Sequence, residues 1–174
     1  TAAVASTSES QCSVCAKGYA RQGTSSSCTA CPSGTFKLLP GAFVCEICTA
    51  GKFKAGLASF VACTDCPDHS STGEDVQSNS LTDCLANVGY TGLGDTVAEC
   101  QVNKYKDKTA SADACDNCPQ NSGTGIGTAK TDRDYCLADA GHTGYGIHVS
   151  KCLAGTWKAV SNSFAPCSTC PQHT

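Results

Sequence analysis

The sequence predicts a small disulfide-rich fold, an elongated tandem array of short β-hairpin modules with little or no helix. Three observations predict it. Cysteine supplies 16 of the 174 residues, a density that marks a covalently stapled scaffold in a chain of this size. Val, Ile, Leu, Phe, Trp and Tyr together number only 32, too few for one large core whose burial could offset the entropy of ordering the chain. The cysteines also recur with a fixed step of 52 residues, the mark of a repeat array. Gly, Pro, Asn, Ser and Asp interrupt the chain too often for helices of useful length, so tight turns joining short strands are expected.

The period is explicit. Cys63, Cys66, Cys84 and Cys100 recur as Cys115, Cys118, Cys136 and Cys152, and the first two recur again as Cys167 and Cys170. Seventeen of 52 positions are identical between 63–114 and 115–166. The expected organisation is therefore 1–14 as the end of a module completed by a neighbouring unit and 15–62 as three short disulfide loops. Two cysteine-rich repeats follow at 63–114 and 115–166, and 167–174 starts a further repeat.

Two kinds of segment alternate. In the first, a cysteine is followed five residues later by an aromatic and six later by a lysine: Phe36-Lys37, Phe53-Lys54, Tyr105-Lys106 and Trp157-Lys158. Phe36, Phe53, Tyr105 and Trp157 are expected to cover the adjacent bridge, with the lysine shielding the ring through its stem or a cation–π contact. In the second, Cys66 or Cys118 opens Cys-Pro-x-(His/Asn)-Ser-x-Thr-Gly and closes at Cys84 or Cys136. A third segment, Cys15 to Cys28, loses both cysteines in later copies, where Ala86/Val97 and Ala138/Val149 stand. Replacing both partners together avoids stranding a reactive thiol.

Two chemistries compete for the cysteines. Cys12-x-x-Cys15 with Cys28-x-x-Cys31 has zinc-ribbon spacing, whereas the later periods offer lone cysteines that suit sequential bridges better than four-ligand tetrahedra. His69, His142, His148 and His173 have no ligand spacing. The favoured pairing joins neighbours: Cys15 to Cys28, Cys31 to Cys45, Cys48 to Cys63, Cys66 to Cys84, Cys100 to Cys115, Cys118 to Cys136 and Cys152 to Cys167. It leaves Cys12 and Cys170 for an inter-unit bridge, the alternative being a chain trimmed within a module.

Other chemistry is sparse. With 12 basic and 15 acidic residues, formal charge −3, no footprint for nucleic acid is expected. No apolar run reaches the length of a membrane span. Gly123–Gly127 lacks the strand, helix and lysine of a phosphate loop, and Asp132, Asp134 and Asp139 do not make an EF-hand. His142 stands where Tyr19 and Tyr90 stand in other copies and is expected to pack. No enzyme, cofactor or metal is expected. Ser and Thr total 38, clustered at 6–10, 24–27 and 70–72, with no N-glycosylation sequon, so O-linked glycans or plain solvated loops are expected there.

At Cys-x-x-Cys-Pro-x-(His/Asn)-Ser and Cys-x-x-x-x-(Tyr/Phe/Trp)-Lys the chain resembles the ephrin-receptor-like cysteine-rich repeat, which is similar in turn to tumour-necrosis-factor-receptor and EGF-like modules. The likeness runs from Cys12 to Cys170 and departs at the two Ala/Val pairs. Such repeats occur in receptor ectodomains and in secreted or surface proteins of protists, including the flagellar hairs called mastigonemes. The resemblance thus implies an extracellular or cell-surface protein. Two roles are expected: a structural unit of an extracellular filament, hair or matrix that binds copies of itself head to tail, or a ligand-binding receptor ectodomain fragment.

Overall fold

A computed structural model describes residues 14–21, 23, 27–41 and 44–171. The chain divides into two compact units, Thr1–Cys84 and Leu85–Thr174. Among the described residues there is no α-helix. The first unit contains the antiparallel pairs Tyr19–Arg21 with Cys28–Ala30, Thr35–Phe36 with Glu46–Ile47, and Lys52–Phe53 with Thr64–Asp65. The second contains Tyr90–Thr91 with Ala98–Glu99, Lys104–Tyr105 with Asp116–Asn117, Ser122–Gly123 with Leu137–Ala138, His142–Thr143 with Ser150–Lys151, and Thr156–Trp157 with Ser168–Thr169. This is the small disulfide-rich class of tandem hairpin modules that composition and period predict.

One local rule writes every hairpin. A turn begins one residue after a cysteine, or after the alanine that replaces it, and closes with an N–H three residues on: Thr35 N–H donates to Pro32 O at 3.1 Å, and Lys104 N–H to Gln101 O at 3.1 Å. The residue just before the first strand is left-handed, which Gly34 satisfies at φ 76° and Asn103 at φ 62°. Glycine or asparagine tolerates that region with least strain, so the sequence places the turn. The two inner residues of Cys-x-x-Cys, or of the matching four residues where Val97, Val149, Asn87 or Asp139 replaces one cysteine, then form the return strand. The second cysteine's N–H bonds back to the left-handed residue, Cys48 to Gly34 at 2.9 Å and Cys118 to Asn103 at 2.8 Å. Thus a four-residue motif both closes one hairpin and opens the next.

Within each unit successive modules are strapped by backbone. Ala58 N–H donates to Cys31 O, Gln77 N–H to Cys48 O, and Ala129 N–H to Cys100 O, at 2.8, 2.8 and 2.9 Å. Ala58, Gln77 and Ala129 are themselves left-handed, at φ 53°, 62° and 52°. Three of the turn glycines lie against them: a Cβ on Gly18 would meet Ala58 O at 2.1 Å, one on Gly34 would meet Gln77 O at 2.1 Å, and one on Gly89 would meet Ala129 O at 2.6 Å. Glycine is needed there twice over, for its φ and for the closeness of the neighbouring module.

Among the described residues four single turns of 3-10 helix punctuate the loops: Leu81–Asp83, Gly94–Thr96, Arg133–Tyr135 and Gly146–His148. Ser80 caps the first, accepting from Thr82 N–H at 3.1 Å, while Asp83 Oδ2 accepts from Ser80 N–H at 2.9 Å. Among the described residues the buried apolar ones are Cys15, Ala20, Cys31, Cys48, Cys84, Ala86, Cys100, Tyr105, Cys136 and Ala138. The core is therefore sulfur and alanine with one aromatic, as a chain so poor in large side chains requires.

Candidate functional site

Among the described residues seven disulfides staple the modules: Cys15–Cys28, Cys31–Cys45, Cys48–Cys63, Cys66–Cys84, Cys100–Cys115, Cys118–Cys136 and Cys152–Cys167. Fourteen thiols are thus consumed in sulfur–sulfur bonds, which removes them as zinc ligands. Each bridge spans 13 to 18 residues and, in the chain-entropy model, contributes on the order of 3 kcal/mol by restricting the unfolded chain. Cys170 carries an exposed free thiol, yet its N–H bonds to Gly155 O at 2.8 Å just as other bridge-opening cysteines bond their left-handed residue. Cys12 lies outside the described residues.

Beside the bridges sits a second device. Lys37, Lys106 and Lys158 are 2%, 2% and 7% exposed, an extreme rarely reached by lysine unless its ammonium is bonded. Lys37 Nζ donates to Tyr19 O at 2.6 Å and Gly41 O at 2.8 Å, with Cys15 O at 3.5 Å. Lys106 Nζ donates to Ser111 O at 2.5 Å and Ala86 O at 3.1 Å. Lys158 Nζ donates to Ser163 O at 2.8 Å and Ala138 O at 2.9 Å. Each ammonium clasps a loop about five residues ahead to the opening of a module about twenty residues behind. Cys15, Ala86 and Ala138 fill the same place in the three clasps, which matches the equivalence drawn from the Gly-(Tyr/His) strings. Burial lowers the Lys106 pKa from its ordinary value, Asp113 pulling the other way and Lys108 adding a smaller downward push.

Lys37, Lys106 and Lys158 thus direct their ammonium groups to loop carbonyls. Neighbouring residues of an extended chain project to opposite sides, so the ammonium turns away from its aromatic and into the loop carbonyls. The cation–π contacts described are others: Arg133 lies 5.6 Å from the Tyr105 centroid and Lys130 lies 5.0 Å from that of Tyr135. Arg133 Nε also donates to Tyr105 Oη at 2.7 Å, which raises the arginine's pKa. Of the four aromatics, Tyr105 is buried, Phe36 and Phe53 are half-buried, and Trp157 is exposed.

The Ser-x-Thr-Gly string has an internal use. Thr72 Oγ1 accepts from Gly51 N–H and donates to Asp75 O, both at 2.8 Å. Thr124 Oγ1 repeats this with Asn103 N–H at 2.8 Å and Gly127 O at 2.7 Å. Ser70 and Ser122 donate to Pro67 O and Pro119 O at 2.6 and 2.7 Å. Ser71 Oγ accepts from Gly73 N–H at 3.1 Å, so the 70–72 cluster, expected to carry sugars or to be solvated loop, spends all three of its hydroxyls on the fold. Residues 6–10 and 24–26 lie outside the described residues. Glycines 123, 125 and 127 belong to this threonine turn and to the hairpin before it. His142 lies half-buried in a strand paired with Ser150–Lys151. No group of three or more His, Cys, Asp or Glu able to hold a metal ion occurs among the described residues, and none of their helices is long and apolar enough to cross a membrane.

Fold and stapling together define a disulfide-rich protein of tandem hairpin modules, the kind that forms in oxidising, extracellular surroundings. No family model matches the chain. It is similar, at 35% identity over 83 residues, to the mouse (Mus musculus) sushi, von Willebrand factor type A, EGF and pentraxin domain-containing protein 1, a match that covers 48% of this chain and 2% of that protein. The chain thus spans only a small fraction of the relative's length.

Proposed function

We propose that this chain is a structural unit of an extracellular filament, cell-surface hair or matrix, built from ephrin-receptor-like repeats and assembled with copies of itself head to tail. The observation that carries the reading is the uniformity of the linkage. In each unit the same turn, return strand and bridge recur, and consecutive modules share backbone hydrogen bonds. Stability in such an array is local and additive, so modules can be added without redesigning a core. A bridge within each short loop limits how far tension can unravel it. The sites of a catalyst play no part in this reading.

Cys170 presents its thiol where other modules open a bridge, and we assign it to pairing with Cys12 of another copy. O-linked glycans on the serine clusters at 6–10 and 24–27 would add a hydrated coat. The test is electrophoresis and electron microscopy of the oxidised protein. Covalent ladders that collapse on reduction, with filaments repeating at one translation, support the assembly. A protein that stays monomeric at all concentrations and binds a soluble protein ligand would replace it with the receptor-ectodomain reading.

A further inference from the structure

The two long repeats supply an internal control, because 63–114 and 115–166 form the same local elements. Both have the paired 3-10 turns, and both place an isolated antiparallel bridge after the closing cysteine, Leu85 with Leu93 and Leu137 with Tyr145. Residues the hairpins require should therefore be of like kind in the two copies. Many positions nevertheless differ in kind, and five of these changes lie close together in the later copy. Asp134, Tyr135, Tyr145, His148 and Phe164 stand where the earlier copy has Thr82, Asp83, Leu93, Thr96 and Ala112.

These five converge. The Tyr145 ring meets Phe164 edge-on at 5.6 Å and His148 at 6.4 Å. Asp134, Tyr135 and Phe164, with Leu137, line a shallow depression of about 330 Å³. The aromatics are largely in water: Tyr135 is 50% exposed, Tyr145 39% and Phe164 67%. Lys130 holds one side of Tyr135 at 5.0 Å. Two new aromatics and a tyrosine for an aspartate leave an exposed aromatic surface that the sister copy lacks, a feature that marks an interaction site.

We propose that this face of the 115–166 repeat is a binding site for a neutral saccharide, with the aromatic rings as its stacking platform. Aromatic faces are electron-rich, and the C–H groups of a pyranose ring are the complementary, weakly positive partner. The tyrosine hydroxyls, the Asp134 carboxylate and the His148 imidazole are donors and acceptors for sugar hydroxyls, a carboxylate being able to take two at once. Charges of both signs stand at the rim, Asp134 and Lys130, which suits an uncharged hydroxyl-rich ligand better than a polyanion. This inference stands apart from the filament proposal, since a monomer could bind sugar equally well.

The sister repeat also designs the test. The variant Y135D/Y145L/F164A installs residues that the earlier copy already carries in the same elements, and its seven bridges are checked by mass spectrometry. The oxidised full chain is titrated with cellohexaose, laminarihexaose, xylohexaose and mannohexaose, followed by calorimetry and by NMR of the aromatic side chains. The expected result is saturable binding of at least one sugar, with shifts confined to Tyr135, Tyr145 and Phe164, and affinity at least about tenfold weaker in the variant, as loss of two stacking contacts implies. No saturable binding to any of the four, or equal affinity in the variant, overturns the proposal. So does concentration-dependent self-association that the variant abolishes without any sugar effect.

Discussion

Replacing Lys106 by methionine isolates the lysine clasp. The change keeps the stem's length and apolar packing but removes the N–H donors that reach Ala86 O and Ser111 O. Two carbonyls at a site where the lysine is 2% exposed lose their partner. At roughly 1 kcal/mol net per hydrogen bond the cost is about 2 kcal/mol, partly relieved by the desolvation that already lowers the lysine's pKa. Because modules in an array can open separately, global unfolding is the wrong observable. Amide hydrogen exchange at Ser111, whose N–H donates to Ala86 O, and at Gly89, whose N–H donates to Lys106 O, reads the local opening directly. A loss of about 2 kcal/mol accelerates both by roughly 30-fold. Lys54→Met is the control: Lys54 Nζ makes one bond, to Ala62 O, at an exposed position, and its loss should change exchange less than about threefold. Unchanged rates at Ser111 and Gly89 in K106M, or an equal effect in K54M, would refute the clasp as a stabilising device.

Three further outcomes follow from the same geometry. Gly89→Ala, which puts a Cβ 2.6 Å from Ala129 O at φ 77°, should cost more than 2 kcal/mol by rough reckoning, whereas Gly141→Ala, at φ 75° with nothing within 4 Å, should cost only about 1 kcal/mol, both read by exchange at the following strand. The double variant Ala86→Cys/Val97→Cys should close an eighth bridge, visible as loss of two hydrogens by mass, because the Lys106 clasp holds Ala86 as the Lys37 clasp holds Cys15. For pH, the folded Lys106 binds its proton less tightly than the unfolded chain does. The unfolded state therefore carries more protons in the alkaline window below the ordinary lysine value, and stability contributed by this group rises with pH there. Asp113, its carboxyl held below the ordinary range by its hydrogen bond from Lys108, acts with the same sign in the acid region, its contribution being lost as pH falls there. Side-chain NMR titration of wild type against K106M and D113N reads both.

The fold class was legible because its determinants are local. Among the described residues, where Cys-x-x-Cys occurs it contains the return strand, and Gly18, Gly34 and Gly51 mark left-handed turns three residues after a cysteine. The alignment of Ala86 and Ala138 with Cys15 could be read from neighbouring Gly-(Tyr/His) pairs alone. What the sequence concealed was non-local. The destination of Lys106 is set by carbonyls at 86 and 111, and a carbonyl leaves no trace in residue identity. The left-handed Ala58, Gln77 and Ala129 are unreadable for the same reason, since the next module imposes their conformation. The aromatic cluster at 135, 145 and 164 did carry a signal, the divergence between two otherwise similar copies, but its convergence needed the fold.

The most direct test of the account is a disulfide map of the oxidised protein by proteolysis and mass spectrometry without reduction. It should return only neighbouring linkages, including Cys66 with Cys84 and Cys118 with Cys136. Peptides joining Cys66 to any cysteine other than Cys84, or free thiols at these positions with bound zinc, would contradict it.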